Sequence, residues 1–318
     1  MGTYILFCFY ESREMPSLPD DVTEELEDIE KIAKTDLKRA YQLCLKAQAR
    51  YAFTPKECFF EIYAHVIRLL NKKNSIVQTD RAKKATEQDF VNEAWTPIMT
   101  TIFNDDELIL KWGDSVPQIS AVAKKRALPE EDVLGNRIDL RVIGKNNDVL
   151  AGEFANSKLG SFKFTSDHLK LLRESKVIFD NIANQRYTSN REVRRLIVPS
   201  FQANGLDGEV KIMKLFSPGL YTVQHIGSVD IPTNVNYLRD LRKKIIPRLN
   251  YVKYHTLKNA NTVSNSLEKE ARKKKKKSNS YERSPSYDDA EVETRWTRGT
   301  WFPSRKPSAP IIIPSDLL

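Results

Sequence analysis

The chain contains few cysteines and histidines and no long apolar run. Its three cysteines, Cys8, Cys44 and Cys58, are widely spaced and form no CxxC pair. This pattern is typical of a reducing compartment and argues against a disulfide framework or a zinc knuckle. The N-terminal apolar stretch, 4–10, is too short to cross a membrane, and no basic segment precedes it as in a signal peptide. We therefore expect an intracellular protein that does not associate with membranes.

Sequence motifs of several common enzyme classes are also missing. The chain has no GxSxG elbow, no HExxH pair, no Walker loop and no GxGxxG fingerprint. These absences argue against a serine hydrolase, a zinc peptidase, a P-loop enzyme and a dinucleotide-dependent enzyme. Positive charge, by contrast, is in excess: 51 Lys and Arg residues against 42 Asp and Glu residues give a net charge of +9. This excess permits binding to nucleic acid without requiring it.

The best-defined local pattern lies within residues 136–156. Two stretches of alternating apolar and polar residues flank a Gly-Lys-Asn-Asn-Asp cluster, which is typical of an antiparallel hairpin. If the loop has odd length and is centred on Asn146, each residue i faces residue 292 − i, so that Asp139 lies opposite Glu153. Directly opposed residues share a face of the sheet, with Cβ atoms about 4.5 to 5.5 Å apart. The hairpin therefore predicts two neighbouring carboxylates.

Two adjacent carboxylates repel each other and need a partner. One interpretation is that Asp139 and Glu153 share a Mg²⁺ or Mn²⁺ ion, because hard oxygen ligands at this separation suit these cations. A second is that Arg137 and Arg141, on the same face, neutralise the acids in a solvated ladder. A two-residue Asn-Asn turn would instead place the acids on opposite faces. The hairpin alone leaves these alternatives open.

Elsewhere the chain alternates helical and strand patterns. Apolar residues that recur every three or four positions predict helices at 20–52, 55–70, 87–103, 165–184 and 237–258, with interruptions at Pro97 and Pro247. Segments bounded by turn residues predict further strands at 118–123, 193–201, 209–216 and 220–229. The sequence thus predicts an α/β fold: a mixed β-sheet flanked by helices, with an N-terminal helical hairpin and a disordered C-terminal tail.

Composition divides the chain into four regions. We assign 1–84 to an N-terminal helical region and connector, 85–232 to the α/β core, 233–262 to a basic helical segment and 263–318 to a disordered tail rich in basic residues, Ser and Pro. The basic run 272–277 is typical of a nuclear localisation signal or of a polyanion-binding arm. A nuclear location is therefore one of the expectations.

Two basic helical faces are candidates for contact with nucleic acid. One lies on the helix predicted at 165–184, and the other lies on the helix predicted at 237–258, where Tyr251 and Tyr254 would suit base stacking. The alternative interpretation of either face is a solvated surface. The candidate phosphate-binding residues are Lys170, Arg173, Lys176, Arg242, Lys243, Lys244 and Arg248.

The order of elements around the hairpin resembles the core of the PD-(D/E)xK nuclease superfamily, the restriction-endonuclease-like fold. A helix with Glu93 precedes a strand with Asp139, its hairpin partner with Glu153 and a further helix. In this order of elements and acids, the chain also resembles lineage-specific fungal proteins. The resemblance, which covers 87–229, implies that Asp139 and Glu153 bind Mg²⁺ or Mn²⁺ and that Glu93 is an accessory acid. It implies hydrolysis of phosphodiester bonds in DNA or RNA.

The chain departs from this family in the position of one cation. The family has a lysine two residues after the second acid, whereas Ala155 stands there in this sequence. Arg137, which faces Ala155 in the predicted register, could stabilise negative charge but is a poor base. Other candidates for the relocated cation are Lys158, Lys163 and Lys170. Two hypotheses follow: an active nuclease with a relocated cation, or an inactive nuclease-like domain that binds nucleic acid or protein.

Overall fold

The computed structural model describes residues 15–130, 134–156, 161–278 and 296–302, and these form an α/β fold. The helices are α1 (Asp20–Ala33), α2 (Leu37–Arg50), α3 (Glu57–Asn71), α4 (Thr79–Ala82), α5 (Glu87–Phe90), α6 (Thr96–Ile102), α7 (Gln118–Ala127), α8 (Ser161–Ala183), α9 (Asn190–Arg195) and α10 (Ile246–Ser278). The strands are β1 (Leu108–Ser115), β2 (Ile138–Gly144), β3 (Asn147–Ala155), β4 (Val198–Asn204), β5 (Asp207–Ser217) and β6 (Leu220–Ser228).

The six strands form one mixed sheet in the order β1-β2-β3-β4-β5-β6. Only the central pair, β3 and β4, is parallel, and the chain passes from one to the other through α8. All other neighbouring strands are antiparallel and are joined directly or, between β1 and β2, through α7. The predicted α/β class with a mixed sheet is therefore confirmed.

The hairpin register matches the prediction where it matters for the acids. The pairs Leu140–Gly152 and Val142–Leu150 both obey the predicted sum of 292. The turn itself was predicted incorrectly: it is a two-residue turn of Lys145 and Asn146, both with positive φ. A β-bulge beyond Val142 adds one residue to β3, which restores the register. Both acids consequently stay on one face.

Helices cover both faces of the sheet. Successive side chains of a strand point to opposite faces. Phe154 meets Trp95 and Phe201 in the apolar layer that α10 also joins, whereas Glu153 points toward α8. The indole N–H of Trp95 donates to the carbonyl of Gly205 at 2.7 Å, which ties this layer to the turn after β4. Glu153 consequently lies in the interior rather than on a solvated surface.

Both predicted proline interruptions are confirmed. A π-helical segment, Val91–Trp95, precedes α6 and Pro97, and a second, Leu241–Ile245, precedes α10 and Pro247. Proline lacks the amide hydrogen that an α-helix would use, so the preceding turn widens. The single helix predicted at 20–52 is in fact two, because Asp36 caps α2 by accepting from the Arg39 amide at 2.9 Å.

Two further predictions need correction. The segment 118–123, which was expected to be a strand, belongs to helix α7, which starts after Pro117. The strand of this region is β1, which lies before the helix and was not predicted. The region 263–318 was expected to be disordered, but α10 continues to Ser278. Glu–Arg and Glu–Lys ion pairs between residues four positions apart support this part of the helix. Residues 296–302 pack against the rest of the protein, and Phe302 is buried. The rest of the predicted tail lies outside the described residues.

Among the described residues, no helix has both the length and the apolar character needed to span a lipid bilayer. Cys44 and Cys58 are free thiols, and burial raises their pKa to about 12 and about 11. Neither thiol is therefore suited to act as a nucleophile or ligand at neutral pH.

The described residues do not form the arginine ladder that was one of the alternative interpretations of the hairpin. The guanidinium of Arg141 makes a buried two-point ion pair with Asp148, at 2.6 Å and 2.9 Å, within the hairpin. Arg137 is exposed and pairs with Asp114 of β1 at 3.0 Å. Neither arginine neutralises Asp139 or Glu153, so the acids depend on other partners.

We predict that Arg141→Met lowers the free energy of unfolding by about 3 to 5 kcal/mol, because it leaves Asp148 buried without its countercharge. Urea denaturation measures this change. The matched control is Arg137→Met, which breaks an exposed ion pair and should cost no more than about 1 kcal/mol. Equal effects of the two substitutions would contradict this assignment.

Candidate active site

Asp139 and Glu153 lie side by side on the α8 face of the sheet. Continuing the observed register by one residue from Leu140 and Gly152 sets Asp139 opposite Glu153. The backbone N–H of Phe154 donates to Oδ2 of Asp139 at 2.9 Å and fixes that carboxylate against β3. Asp139 is partly exposed, whereas Glu153 is only 1% exposed. The pair therefore has a buried member and a member within reach of solvent.

Helix α8 brings three charged side chains to this pair. Lys163, Asp167 and Lys170 recur at helical spacing and share one face of α8. The ammonium of Lys170 lies 2.5 Å from Oε2 of Glu153 and 3.8 Å from Asp167. The helix was expected to begin at Thr165, but it begins at Ser161, which places Lys163 on this face too. Lys170 is thus the cation that the structure brings to the second acid.

The fourth acid of the cluster was not predicted. Glu87, the first residue of α5, accepts a hydrogen bond from Lys163 at 2.9 Å. Glu93, which was expected to be the accessory acid, instead pairs with Arg81 at 3.0 Å in a separate group with Asp89. The helical pattern identified the correct segment but not the face that meets the sheet. We call Glu87, Asp139, Glu153, Asp167, Lys163 and Lys170 the acidic cluster.

The acidic cluster is short of positive charge. Burial, and after it the charge of Asp139, raises the pKa of Glu153 to about 9 despite the opposing attraction of Lys170. Burial also raises the pKa of Asp139 and of Asp167. Burial lowers the pKa of Lys170, but its neighbouring carboxylates outweigh this effect, and the net shift is upward. Four acids and two lysines therefore favour an additional cation or a retained proton.

Two carboxylate oxygens in the acidic cluster are buried and have no hydrogen-bond partner among the residues that the structure describes. They are Oε1 of Glu153 and Oδ2 of Asp167. An unpartnered buried oxygen is costly, and a metal ion removes that cost. Within the described part of the chain, no three His, Cys, Asp or Glu side chains converge closely enough to hold a metal on their own. Asp139 and Glu153 offer oxygen ligands of the kind that Mg²⁺ and Mn²⁺ prefer, and with two protein carboxylates the rest of the coordination shell would have to come from water and substrate oxygens.

The other predicted catalytic residues do not join the acidic cluster in this way. Arg137 is committed to Asp114. Lys158 lies outside the described residues. Ala155, at the family's lysine position, is buried and carries no charge. Lys170, which the sequence offered as one of several relocated cations, contacts Glu153 from α8.

Most of the predicted phosphate-binding residues make ion pairs or other contacts within the protein. Lys170 binds Glu153, Lys176 binds Asp180 at 2.7 Å, and Arg242 binds Glu30 at 3.1 Å and Glu27 at 3.0 Å. Lys244 pairs with Asp240, Arg248 donates to the carbonyl of Ser228, and Arg173 lines a groove of about 310 Å³ beside α8. Lys243 is exposed. Their role in nucleic acid binding stays a prediction.

A polar row continues from Glu153 across the sheet. Gln202 of β4 pairs with Glu153 in the strand register and is 2% exposed. Its side chain lies 3.1 Å from Nδ1 of His168 and donates to the carbonyl of Phe164 at 3.1 Å. Lys211 of β5 lies 3.0 Å from the same His168 nitrogen. These contacts hold the first turns of α8 over the acids.

Another buried acid supports the approach to β2. Glu174 is fully buried and accepts hydrogen bonds from Ser120 at 2.6 Å and from the side chain of Asn136 at 2.7 Å. The amide of Asn136 in turn donates to Ser120 at 3.1 Å. Burial raises the pKa of Glu174 to about 7, although both hydrogen bonds oppose the shift. This network fixes the backbone three residues before Asp139.

Comparison of the chain with protein-family models, with curated proteins and with solved structures found no match. A function therefore has to be inferred from the residues of the acidic cluster and their surroundings.

We predict that Glu174 makes the protein less stable as pH rises from 4.5 to 7. Across this range the folded state keeps a proton that the unfolded state releases, so the stabilisation is present below the ordinary pKa and is lost above it. Glu174→Gln should remove this dependence. The stability of the variant relative to the parent should rise by on the order of 3 kcal/mol between pH 4.5 and 8. Chemical denaturation at several pH values measures it.

The control for this experiment is Glu192→Gln. Hydrogen bonds from Ser189 lower the pKa of Glu192, so its contribution to stability is lost as pH falls, with the opposite sign. The same pH trend in both variants would contradict the assignment to Glu174.

Proposed function

We propose that the protein is a divalent-metal-dependent nuclease of the PD-(D/E)xK type that hydrolyses phosphodiester bonds of DNA or RNA. The observation that carries the proposal is the acidic cluster: two carboxylates on adjacent strands, an unpartnered buried oxygen on Glu153, and the Lys170 ammonium at 2.5 Å. Asp139 comes from β2, Glu153 from β3 and Lys170 from α8.

The arrangement of strands and helices supports this proposal. Helices α5 and α6 precede the antiparallel strands β1, β2 and β3, and α8 then leads to β4, which is parallel to β3. Asp139 is the second residue of β2 and Glu153 lies near the end of β3. This is the order implied by the family resemblance, with Lys170 on α8 standing in for the absent lysine at Ala155.

The roles of the residues follow from their positions. Asp139 and Glu153 would hold Mg²⁺ or Mn²⁺, which when bound lowers the pKa of a coordinated water and stabilises charge on phosphoryl oxygens. Lys170 remains protonated, so it orients the attacking water or stabilises developing negative charge rather than acting as a base. Gln202 and His168 keep the first turns of α8 in place.

A second candidate is a nuclease-like domain that binds nucleic acid without cleaving it. The observation that favours it is the direct ion pair between Lys170 and Glu153, which satisfies one oxygen of Glu153 without a metal. Cleavage and binding therefore have to be measured separately.

Calorimetric titration with Mg²⁺ and Mn²⁺ tests the proposed metal site. We expect the parent to bind a divalent ion and both Asp139→Asn and Glu153→Gln to lose that binding, because each removes a charged ligand. Glu93→Gln is the control and should bind as the parent does, since Glu93 pairs with Arg81 instead. Unchanged heats in the Asp139 and Glu153 variants would contradict the proposed site.

Cleavage of a labelled oligonucleotide tests the role of Lys170. We expect Lys170→Met to lower the cleavage rate by about 10² or more while divalent-ion binding persists, because the substitution removes one stabilising donor. Lys163→Met removes an ammonium bonded to Glu87 on the same helix face and should keep most of the rate. Equal losses in the two variants would argue against a specific role for Lys170. An inactive parent that still binds the metal and the oligonucleotide would favour the second candidate.

A further inference from the structure

Exposed cations gather where the C-terminal end of α8, helix α9 and the second half of α10 meet. The amide of Tyr187 donates to Oγ of Ser266 at 3.2 Å and joins the segment after α8 to α10. The Tyr187 ring lies beneath the Lys273 ammonium at 4.7 Å and near the Arg186 guanidinium at 5.7 Å. We call the exposed cations of this region the basic ridge: Arg186, Arg191, Arg194, Arg195, Lys269, Arg272 and Lys273.

The acids near the basic ridge are already engaged. Glu192 caps its own helix by accepting from Ser189, with Lys269 close enough to stabilise its charge. Glu268 and Glu270 are one helical turn from Arg272 and Lys274 and pair with them. Arg191 and Arg195 are exposed to solvent on α9. The basic ridge therefore keeps an excess of positive charge toward solvent.

This surface contrasts with the basic faces that the sequence suggested. Lys170, Lys176 and Arg242 are engaged by acids within the fold. The ridge cations are instead displayed on α9, on α10 and, in the case of Arg186, on the turn between α8 and α9. Helix α9 packs against β5, and α10 packs against β2, β3 and β4. Charge displayed on fixed helices suits an extended anionic partner.

The spacing from the acidic cluster indicates a polymeric ligand. Lys170 lies near the middle of α8, and the ridge begins just beyond the last residue of this helix, Ala183. At about 1.5 Å per residue, this part of α8 spans about 20 Å, or roughly six nucleotide steps at about 3.4 Å each. A single nucleotide cannot reach both regions, whereas a nucleic acid strand can.

We propose that the basic ridge binds the phosphate backbone of a nucleic acid, independently of sequence, and holds it while another part of the same polymer reaches the acidic cluster. This inference rests on the proposed function in taking a phosphodiester polymer as the ligand. An anionic membrane is the competing partner. Among the described side chains of α9 and of the part of α10 near the basic ridge, Leu267 is the only large apolar one that is exposed. This surface therefore offers little apolar area for insertion into lipid.

Fluorescence anisotropy with labelled 20-nucleotide DNA and RNA, single-stranded and duplex, tests this proposal in EDTA, where no metal-dependent cleavage occurs. The parent should bind with an affinity that falls steeply between 50 and 200 mM NaCl, as expected of roughly three or more phosphate contacts. The triple variant Arg191→Gln, Arg195→Gln, Lys269→Gln should bind about tenfold or more weakly at 100 mM NaCl. Its salt slope on duplex DNA should be smaller by about 2 to 3.

The matched control removes the same charge elsewhere. Lys38→Gln, Arg39→Gln, Lys46→Gln alters exposed residues of α2, which the proposal does not involve, and should leave affinity within about twofold of the parent. Arg191→Lys, Arg195→Lys keeps the charge and should keep the slope, and thermal melting followed by circular dichroism checks that each variant folds. Asp139→Asn should bind like the parent, which separates this inference from the proposed catalysis.

Several outcomes would overturn the inference. They are no binding of any oligonucleotide by the parent, equal losses in the ridge variant and the control variant, and loss of the slope in the Arg-to-Lys variant. Binding to vesicles containing anionic phospholipid, without binding to oligonucleotides, would identify a membrane as the partner instead.

Discussion

The carboxylate of Glu153 lies in the protein interior, where an ionised group is stable only if it meets a partner. One of its oxygens contacts Lys170, and the other has no hydrogen-bond partner in the described part of the chain, while the register places Asp139 opposite on the neighbouring strand. Several surrounding elements contact this pair of carboxylates or hold its neighbours in place. Helix α8 crosses the acids with Lys163, Asp167 and Lys170 on one face, and Gln202 and His168 hold its first turns to the sheet.

The same face of the sheet contains an ion pair in which both charges are fully satisfied. The acidic cluster differs from this pair in its balance of charge. Arg141 and Asp148 satisfy each other through two hydrogen bonds near the turn of the hairpin, so that end needs no further ion. At the opposite end of the hairpin, the acids outnumber the cations, and buried oxygens remain unpartnered. A fold gains no stability from such an excess of buried acid. We infer that the excess is retained for binding a cation and, through it, a substrate.

The parts of the structure that depend on local pattern could be predicted from the sequence. The alternation in the hairpin was enough to pair Asp139 with Glu153, even though the turn was wrong, because the β-bulge after Val142 compensates for the shorter turn. The proline interruptions at Pro97 and Pro247 also followed from local chemistry. Contacts between distant segments could not be predicted in this way. Helical spacing alone does not say that Glu87 rather than Glu93 meets the sheet, or that Lys170 reaches Glu153. The prediction of disorder for 263–278, made from composition, was also wrong, because Glu–Lys and Glu–Arg pairs support a helix there.

In the proposed site, Asp139 and Glu153 share one divalent cation beside Lys170. Crystals grown with Mn²⁺ and measured at the manganese absorption edge would locate such an ion. We expect one anomalous peak bonded to an oxygen of each carboxylate, at about 2.1 to 2.2 Å, with the Lys170 ammonium displaced from between the acids or retained at their edge. Density that shows Lys170 still bonded to Glu153 at saturating Mn²⁺, with no anomalous peak between the two carboxylates, would contradict it.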